Sequence, residues 1–359
     1  MARINTKLTR LLGINIPVVC PPMANASGAI LPAEVTLGGG FGFIAAGYSS
    51  AKALRHEISM ARSILRVEAS STLPIGVGYL AWKLEEPGNP APDMLNAALE
   101  NGVQAIWLAF GREIGKWVKY IRQYDGTSGR KTIVFIQVNC LEEAQAAYKD
   151  WGADVLVAQG IESGGHGGSY APPLLDLITS ITKNIPKDGP PILAAGGLSN
   201  GSQVAAFLTL GAAGAVLGTR FLLTPESQYS ETQKAALLPA SASSTVRTLA
   251  FDYARGTLGW PEGINGRGLR NQIVKLFEKG VDIEILREKL EEGTRHGDPD
   301  YMITWAGQGV GDMTEIKGAQ ALVREIQQEI VRCLKAAPLM VEETQTSRLR
   351  VAAETRVGE

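Results

Sequence analysis

The sequence predicts an α/β fold: a (β/α)8 barrel carrying a mostly helical insertion after its eighth strand. Short apolar runs alternate with amphipathic stretches from Ile16 to about Leu222, and eight such runs can be counted. Most are continuously apolar rather than alternating, as parallel strands are when helices cover their outer face. A doubly wound sheet would give the same alternation. The count of eight and the lack of a GxGxxG after the first run favour the barrel.

The runs, in order, are "IPVVCPPM", "GFGFIAAGY", "PIGVGYL", "AIWLAF", "TIVFIQV", "DVLVAQG", "PILAAGG" and "GAVLGTRFL". Between them, "SAKALRHEISMARSILR" and "LEEAQAAYKDWG" read as helices. The second sets Leu141, Ala144 and Tyr148 on one face and closes on Gly152 at the C-cap. After Leu222 the strand series stops. Residues 224–312 hold helical pieces broken by Gly and Pro and read as an insertion or lid. "KGAQALVREIQQEIVRCLKAA" then supplies a final helix with Ala321, Ile326, Ile330 and Leu334 as its apolar stripe. The barrel is thus expected from 1–223 and 313–337, with a flexible polar tail over 338–359.

The 359 residues are 45% hydrophobic and 20% charged, with a net charge of −1. That near-balance leaves no basic footprint for nucleic acid or a membrane surface. No apolar run reaches the ~20 residues of a membrane span, and the N-terminal stretch lacks the apolar core of a signal peptide. Cys20, Cys140 and Cys333 lie far apart without zinc spacing, which predicts a reducing, cytoplasmic setting without disulfides. The assembly entertained is a homodimer.

In a barrel the active site forms at the C-terminal ends of the strands, and the unusual residues collect there. Strand one ends in "PPMAN", strand five at Gln137, strand six in "QGIESGGHGG", strand seven in "AAGGLSNG" and strand eight in "LGTRF". Gly196 and Gly197, with Gly218 and Thr219, leave backbone N–H groups uncovered before helix N-termini, where a phosphate is favoured. Ser199 and Asn200 follow as cap residues. No His, Asp and Glu cluster suggests a metal, and neither GxSxG nor a GK[ST] loop is present. A phosphate-bearing cofactor or substrate remains: flavin mononucleotide (FMN), pyridoxal phosphate or a phosphosugar. No strand end carries the lysine that pyridoxal phosphate needs, so flavin fits best.

At "QGIESGGHGG", "PPMA", "AAGGLSNG" and "LGTRF" the chain resembles the nitronate monooxygenase family, formerly 2-nitropropane dioxygenases, from about Leu11 through "WAGQGVG". The resemblance implies an FMN barrel that oxidises alkyl nitronates with O2 to a carbonyl compound and nitrite. It places Met23 and Ala24 by the flavin ring, and Gln137, Gln159, Gly164 and Gly165 beside the ring or ribityl chain. It sets Gly196, Gly197, Gly218 and Thr219 at the phosphate, counts Leu217 among the cofactor-binding residues, and has Gln308 close the pocket. His166 matches the family histidine that acts as base on nitroalkanes. One departure is Gly78, in "GVGY", where many members carry Asn. The same His-bearing loop occurs in NAD(P)H-dependent flavin reductases of enoyl or quinone substrates, which stand as the alternative. A non-flavin phosphosugar enzyme and a barrel without catalysis remain as further rivals.

Imidazole, with an ordinary pKa near 6.5, is a neutral base at physiological pH, and the glycines around His166 let the backbone pass close to a planar ring. A nitronate is already an anion, so protonated His166 would instead orient it. Glu162 and Ser163 are expected to shape the turn, and Trp107 and Phe110 to pack the core. His56 is expected on a solvated helix face. Trp260 and Trp305 are candidates for a pocket wall, and His296 for an approach to the site.

Overall fold

A computed structural model describes residues 3–341. Its strands are β1 (Val18–Cys20), β2 (Phe41–Ala45), β3 (Leu73–Leu80), β4 (Val103–Ala109), β5 (Ile133–Val138), β6 (Val155–Gln159), β7 (Gly165–Gly168), β8 (Ile192–Ala195), β9 (Gly214–Val216), β10 (Thr245–Thr248) and β11 (Ile264–Leu269). Eight of these close a parallel barrel in the order β1-β2-β3-β4-β5-β6-β8-β9. Because β1 pairs with both β2 and β9, the sheet has no free edge, and a doubly wound sheet is excluded.

Helices α1 (Lys7–Leu12), α2 (Ile30–Leu37), α3 (Ala51–Leu65), α4 (Ala81–Leu84), α5 (Ala91–Leu99), α6 (Ile114–Ser128), α7 (Leu141–Lys149), α8 (Leu174–Asn184), α9 (Gly201–Thr209) and α10 (Thr219–Leu222) accompany the barrel strands. The Ser50 hydroxyl caps α3 and the Asn200 side chain caps α9. Each satisfies an N–H that the first helical turn leaves without an intrahelical partner.

Two cores follow from the two-residue period of a strand. Phe41, Phe43, Trp107 and Phe135 face the axis and pack ring against ring, with centroids 5.0 to 6.4 Å apart. Leu8 and Leu12 of α1 join this inner cluster at the N-terminal end of the strands. Ile106, Leu108, Val134, Ile136 and Leu156 point outward into the core shared with the helices. The same period sends Gln137, two past Phe135, and Gln159, two past Val157, to the axis at the barrel mouth.

The segment after α10 contains α11 (Glu231–Leu237), α12 (Ala250–Arg255), α13 (Gln272–Glu278) and α14 (Ile283–His296). Phe251, Ile273, Val274, Leu286 and Leu290 give it a small core of its own. The final helix α15 (Ala319–Ala336) returns to the barrel.

Several expectations need correction. "QGIESGGHGG" is not all loop, and the insertion is not free of strands. β10 and β11 form an antiparallel hairpin whose second strand pairs with β7, giving a three-stranded sheet, β10-β11-β7. Apolar patterning could not show it, because β7 reads "GHGG", β11 "INGRGL" and β10 only "TVRT". The eighth apolar run is strand only to Val216, and its "TRFL" turns into α10. Helix α7 is capped at Asp150, with Gly152 two residues beyond at φ +72°. Helix α15 buries Ala319, Leu322, Val323, Ile326 and Ile330, a row of three- and four-residue steps that leaves Ala321 exposed. Of the predicted tail, residues 342–359 lie outside the described residues.

Candidate active site

The barrel mouth and the insertion enclose a cleft of about 1310 Å³, part of it open to solvent. Its wall includes Met23, Ala24, Gln137, Gln159, Gly164, Gly165, His166, Gly196, Gly197, Gly218 and Thr219, so the structure brings together eleven of the thirteen residues singled out from the sequence. The other two do not reach it. Leu217 follows the inward-facing Val216, so its fully buried side chain points into the outer core while its N–H bonds the Val19 carbonyl. Gln308 is exposed and donates its N–H to the Glu162 carbonyl, and its neighbours Gly307 and Gly309 line the cleft instead.

One part of the wall is built of main chain. Gly196 and Gly197 have φ of +118° and +70°, a region open mainly to glycine. Among the described residues, their N–H groups and that of Gly218 donate to no protein acceptor. The Thr219 hydroxyl oxygen accepts from Gly307 N–H at 2.9 Å, which leaves its own hydrogen free to donate. Gly78 is fixed by space: a Cβ there would stand 2.1 Å from Pro22 Cγ, so Pro22 occupies the place a side chain would need.

The amides at the mouth form a chain of fixed direction. Gln137 Nε2 donates to Gln159 Oε1 at 2.9 Å, and Gln159 Nε2 donates to the His166 carbonyl at 3.1 Å. Arg247 of β10 grips the same turn, donating to the Ser163 carbonyl at 2.8 Å and to Ser163 Oγ at 3.0 Å. Burial and the neighbouring Arg267 push the Arg247 pKa down to about 10. Glu162 accepts the Leu174 N–H at the start of α8 with both oxygens.

His166 stands opposite Gly266 in the β7–β11 register. Its Nε2 lies 2.8 and 3.0 Å from the two carboxylate oxygens of Asp252 on α12. Asp252 is 1% exposed and also accepts from Thr257 Oγ1 at 2.9 Å. The imidazole stacks on Trp260 with ring centroids 3.6 Å apart and an interplanar angle of 9°, and Trp305 stands at 5.1 Å. Burial draws the His166 pKa below its usual value, while the hydrogen bond and charge of Asp252 oppose the shift. Arg255 and Arg247 act in the same direction as burial. Burial prevails, so the pair is a neutral imidazole held by a carboxylate.

Trp260 and Trp305 do form cleft wall, together with Trp107 and Phe110, which also pack as expected. His56 is exposed, and His296 at the end of α14 is not among the lining residues. Sequence reasoning missed Asp252, Thr257 and Arg255. The available clue was an acid placed between Phe251 and Ala254 in an otherwise apolar helical turn. Among the described residues no His, Cys, Asp and Glu cluster could hold a metal. No described helix is long and apolar enough to cross a membrane.

A closed barrel with a buried histidine–carboxylate pair beside a glycine-walled cleft at the C-terminal ends of its strands defines a (β/α)8 enzyme. The nitronate monooxygenase family model matches residues 5–329, and the chain belongs to that family of oxidoreductases. It is 33% identical over 326 residues to the nitronate monooxygenase npaC of Metarhizium robertsii, covering 86% of this chain and 89% of the relative. Identity to the nitronate monooxygenase of Neurospora crassa is 29%, over 89% and 90% of the two chains. Among solved structures, FabK of Thermotoga maritima superposes with a TM-score of 0.76 at 28% identity, covering 94% of this chain and all of that one. A nitroalkane oxidase of Streptomyces ansochromogenes gives 0.76 at 26% identity, over 92% and 99%.

Proposed function

We propose that this chain is an FMN-dependent enzyme that oxidises alkyl nitronates and nitroalkanes with O2, releasing a carbonyl compound and nitrite. The observation that carries this reading is the buried, neutral His166, hydrogen-bonded to Asp252 at the wall of a cleft that also presents a main-chain anion cradle. The cradle suits a phosphate monoester: unpaired N–H groups at Gly196, Gly197 and Gly218, plus the Thr219 hydroxyl. Met23, Ala24, Gly164 and Gly165 leave room for a flat ring system, and the Gln137 and Gln159 amides supply polar partners. Bound FMN would accept electrons from the substrate and pass them to O2.

The protein's own part is binding and proton handling. For a neutral nitroalkane, the imidazole takes the α-proton; the C–H bonding pair stays on carbon and delocalises into the nitro group, giving nitronate and imidazolium. Asp252 then stands against the imidazolium, whose charge holds the nitronate. A substrate supplied as nitronate skips the proton transfer and meets the neutral imidazole, so it draws on neither the base nor the imidazolium charge. Trp260 and Trp305 keep water from the imidazole. Residues 224–312 belong to this reading as a lid over the barrel of 1–223 and 313–337. The three free cysteines suit a cytoplasmic enzyme.

The loop that bears His166 also supports a second reading, an NAD(P)H-dependent FMN reductase of enoyl or quinone substrates. The two separate when the purified flavoprotein is mixed anaerobically with propyl-2-nitronate, NADH and NADPH in turn. Nitronate is expected to bleach the flavin spectrum. Rapid bleaching by a pyridine nucleotide, with no response to nitronate, replaces the first reading with the second.

A further inference from the structure

We infer that Asp252 is a positioning residue that fixes His166 as its Nε2–H tautomer, so that Nδ1 is the atom that takes the substrate proton. This assignment rests on the base role proposed above. A carboxylate is acceptor-only, and both Asp252 oxygens face Nε2 at 2.8 and 3.0 Å, so Nε2 must carry the hydrogen between them. A half-turn of the ring would put Cε1 against the carboxylate and forfeit both contacts. The stack on Trp260 at 3.6 Å restrains the ring from swinging away. Nδ1 has no protein partner among the described residues, and the side chain it belongs to lines the cleft.

Asp252 is held in turn. The Thr257 hydroxyl donates to Oδ1, the nearer of the two oxygens that face the histidine. The charged groups facing the imidazole are Asp252 and Arg255 from α12 and Arg247 from β10; β7 itself and the segments carrying Trp260 and Trp305 contribute none to it. Asp252 alone both lies within hydrogen-bond distance and favours a protonated nitrogen. The carboxylate therefore selects which nitrogen is bare and steadies the imidazolium once the proton arrives.

Asp252→Asn keeps the shape and removes the charge. Its amide can donate to Nε2, which favours the Nδ1–H tautomer and blocks the base. For nitroethane, kcat/KM is expected to fall about 100-fold or more, the scale of general-base catalysis. Turnover of ethyl nitronate, which needs no base, should change only a few-fold. The residual nitroethane activity should show its acid limb at lower pH, because the carboxylate that raised the imidazole pKa is gone. Independently, 15N shifts of histidine-labelled wild-type protein, assigned with His166→Asn, should show a protonated Nε2 and bare Nδ1 at pH 8.

A protonated Nδ1 in the wild type would overturn the proposal, as would equal losses on the two substrates or no loss on either. If the wild type oxidises neither substrate, the proposed function fails, while the 15N shifts still decide the tautomer. They also need no variant of Asp252 to fold.

Discussion

His166 and Asp252 are 86 residues apart in the chain and 2.8 Å apart in space. The histidine was legible in the sequence because its strand end and its run of glycines mark it out. Its partner was not, since a single acid within an apolar helical turn says nothing about which distant strand it will meet. With the imidazole pKa lowered by burial, the base is already in its working form at pH 6.5 and above. The acid limb of kcat/KM for nitroethane should accordingly fall below pH 6.5, with a plateau at neutral pH. His166→Asn should cost nitroethane turnover about 100-fold or more and nitronate turnover far less, as steady-state rates on the two substrates would show. Equal loss on both would remove the base role.

At the level of elements, the eight barrel strands were readable because strands covered on both faces become continuous apolar runs. β7, β10 and β11 were hidden for the opposite reason. Their residues are mostly glycine, Thr, Arg and Asn, and what holds them is main-chain pairing and the Arg247 side chain more than apolar burial. The turn after β8 was legible as glycine pairs, and its backbone explains why glycine is needed. Gly197→Ala forces a Cβ onto a residue at φ +70°, where strain costs of order 1–3 kcal/mol. The same Cβ would stand 3.0 Å from Glu162 Cβ. FMN affinity should weaken about tenfold or more, the equivalent of 1.4 kcal/mol, measured by flavin fluorescence on dilution. Unchanged affinity would place the phosphate elsewhere.

For the molecule as a whole, the buried histidine also bears on stability. Its folded pKa is lowered from the ordinary 6.5, so the unfolded chain binds a proton first as pH drops. The sign follows: the contribution is fully present above pH 6.5 and is lost as pH falls towards the folded pKa, at no more than about 1.4 kcal/mol per pH unit. Comparing Tm between pH 7.5 and 5.5, the wild type should lose more than His166→Asn. An identical decline in both would mean that the site does not titrate as assigned.

The barrel and the site residues at its strand ends could be reasoned from the chain because each rests on local pattern. The sheet β10-β11-β7 could not, because it exists only once residues far apart in sequence have met. That sheet has a consequence for engineering. The strand that bears His166 follows barrel strand β6 in the chain, but its hydrogen-bonded neighbour β11, its clamp Arg247 and its carboxylate Asp252 all come from residues 245–269. The segment after β9 therefore cannot be treated as a cassette that swaps specificity between related barrels. A chimera that imports a foreign segment replaces half of the proton-handling apparatus along with the roof. To keep the chemistry, the graft must supply an acid at the Asp252 position and a strand in the β11 register.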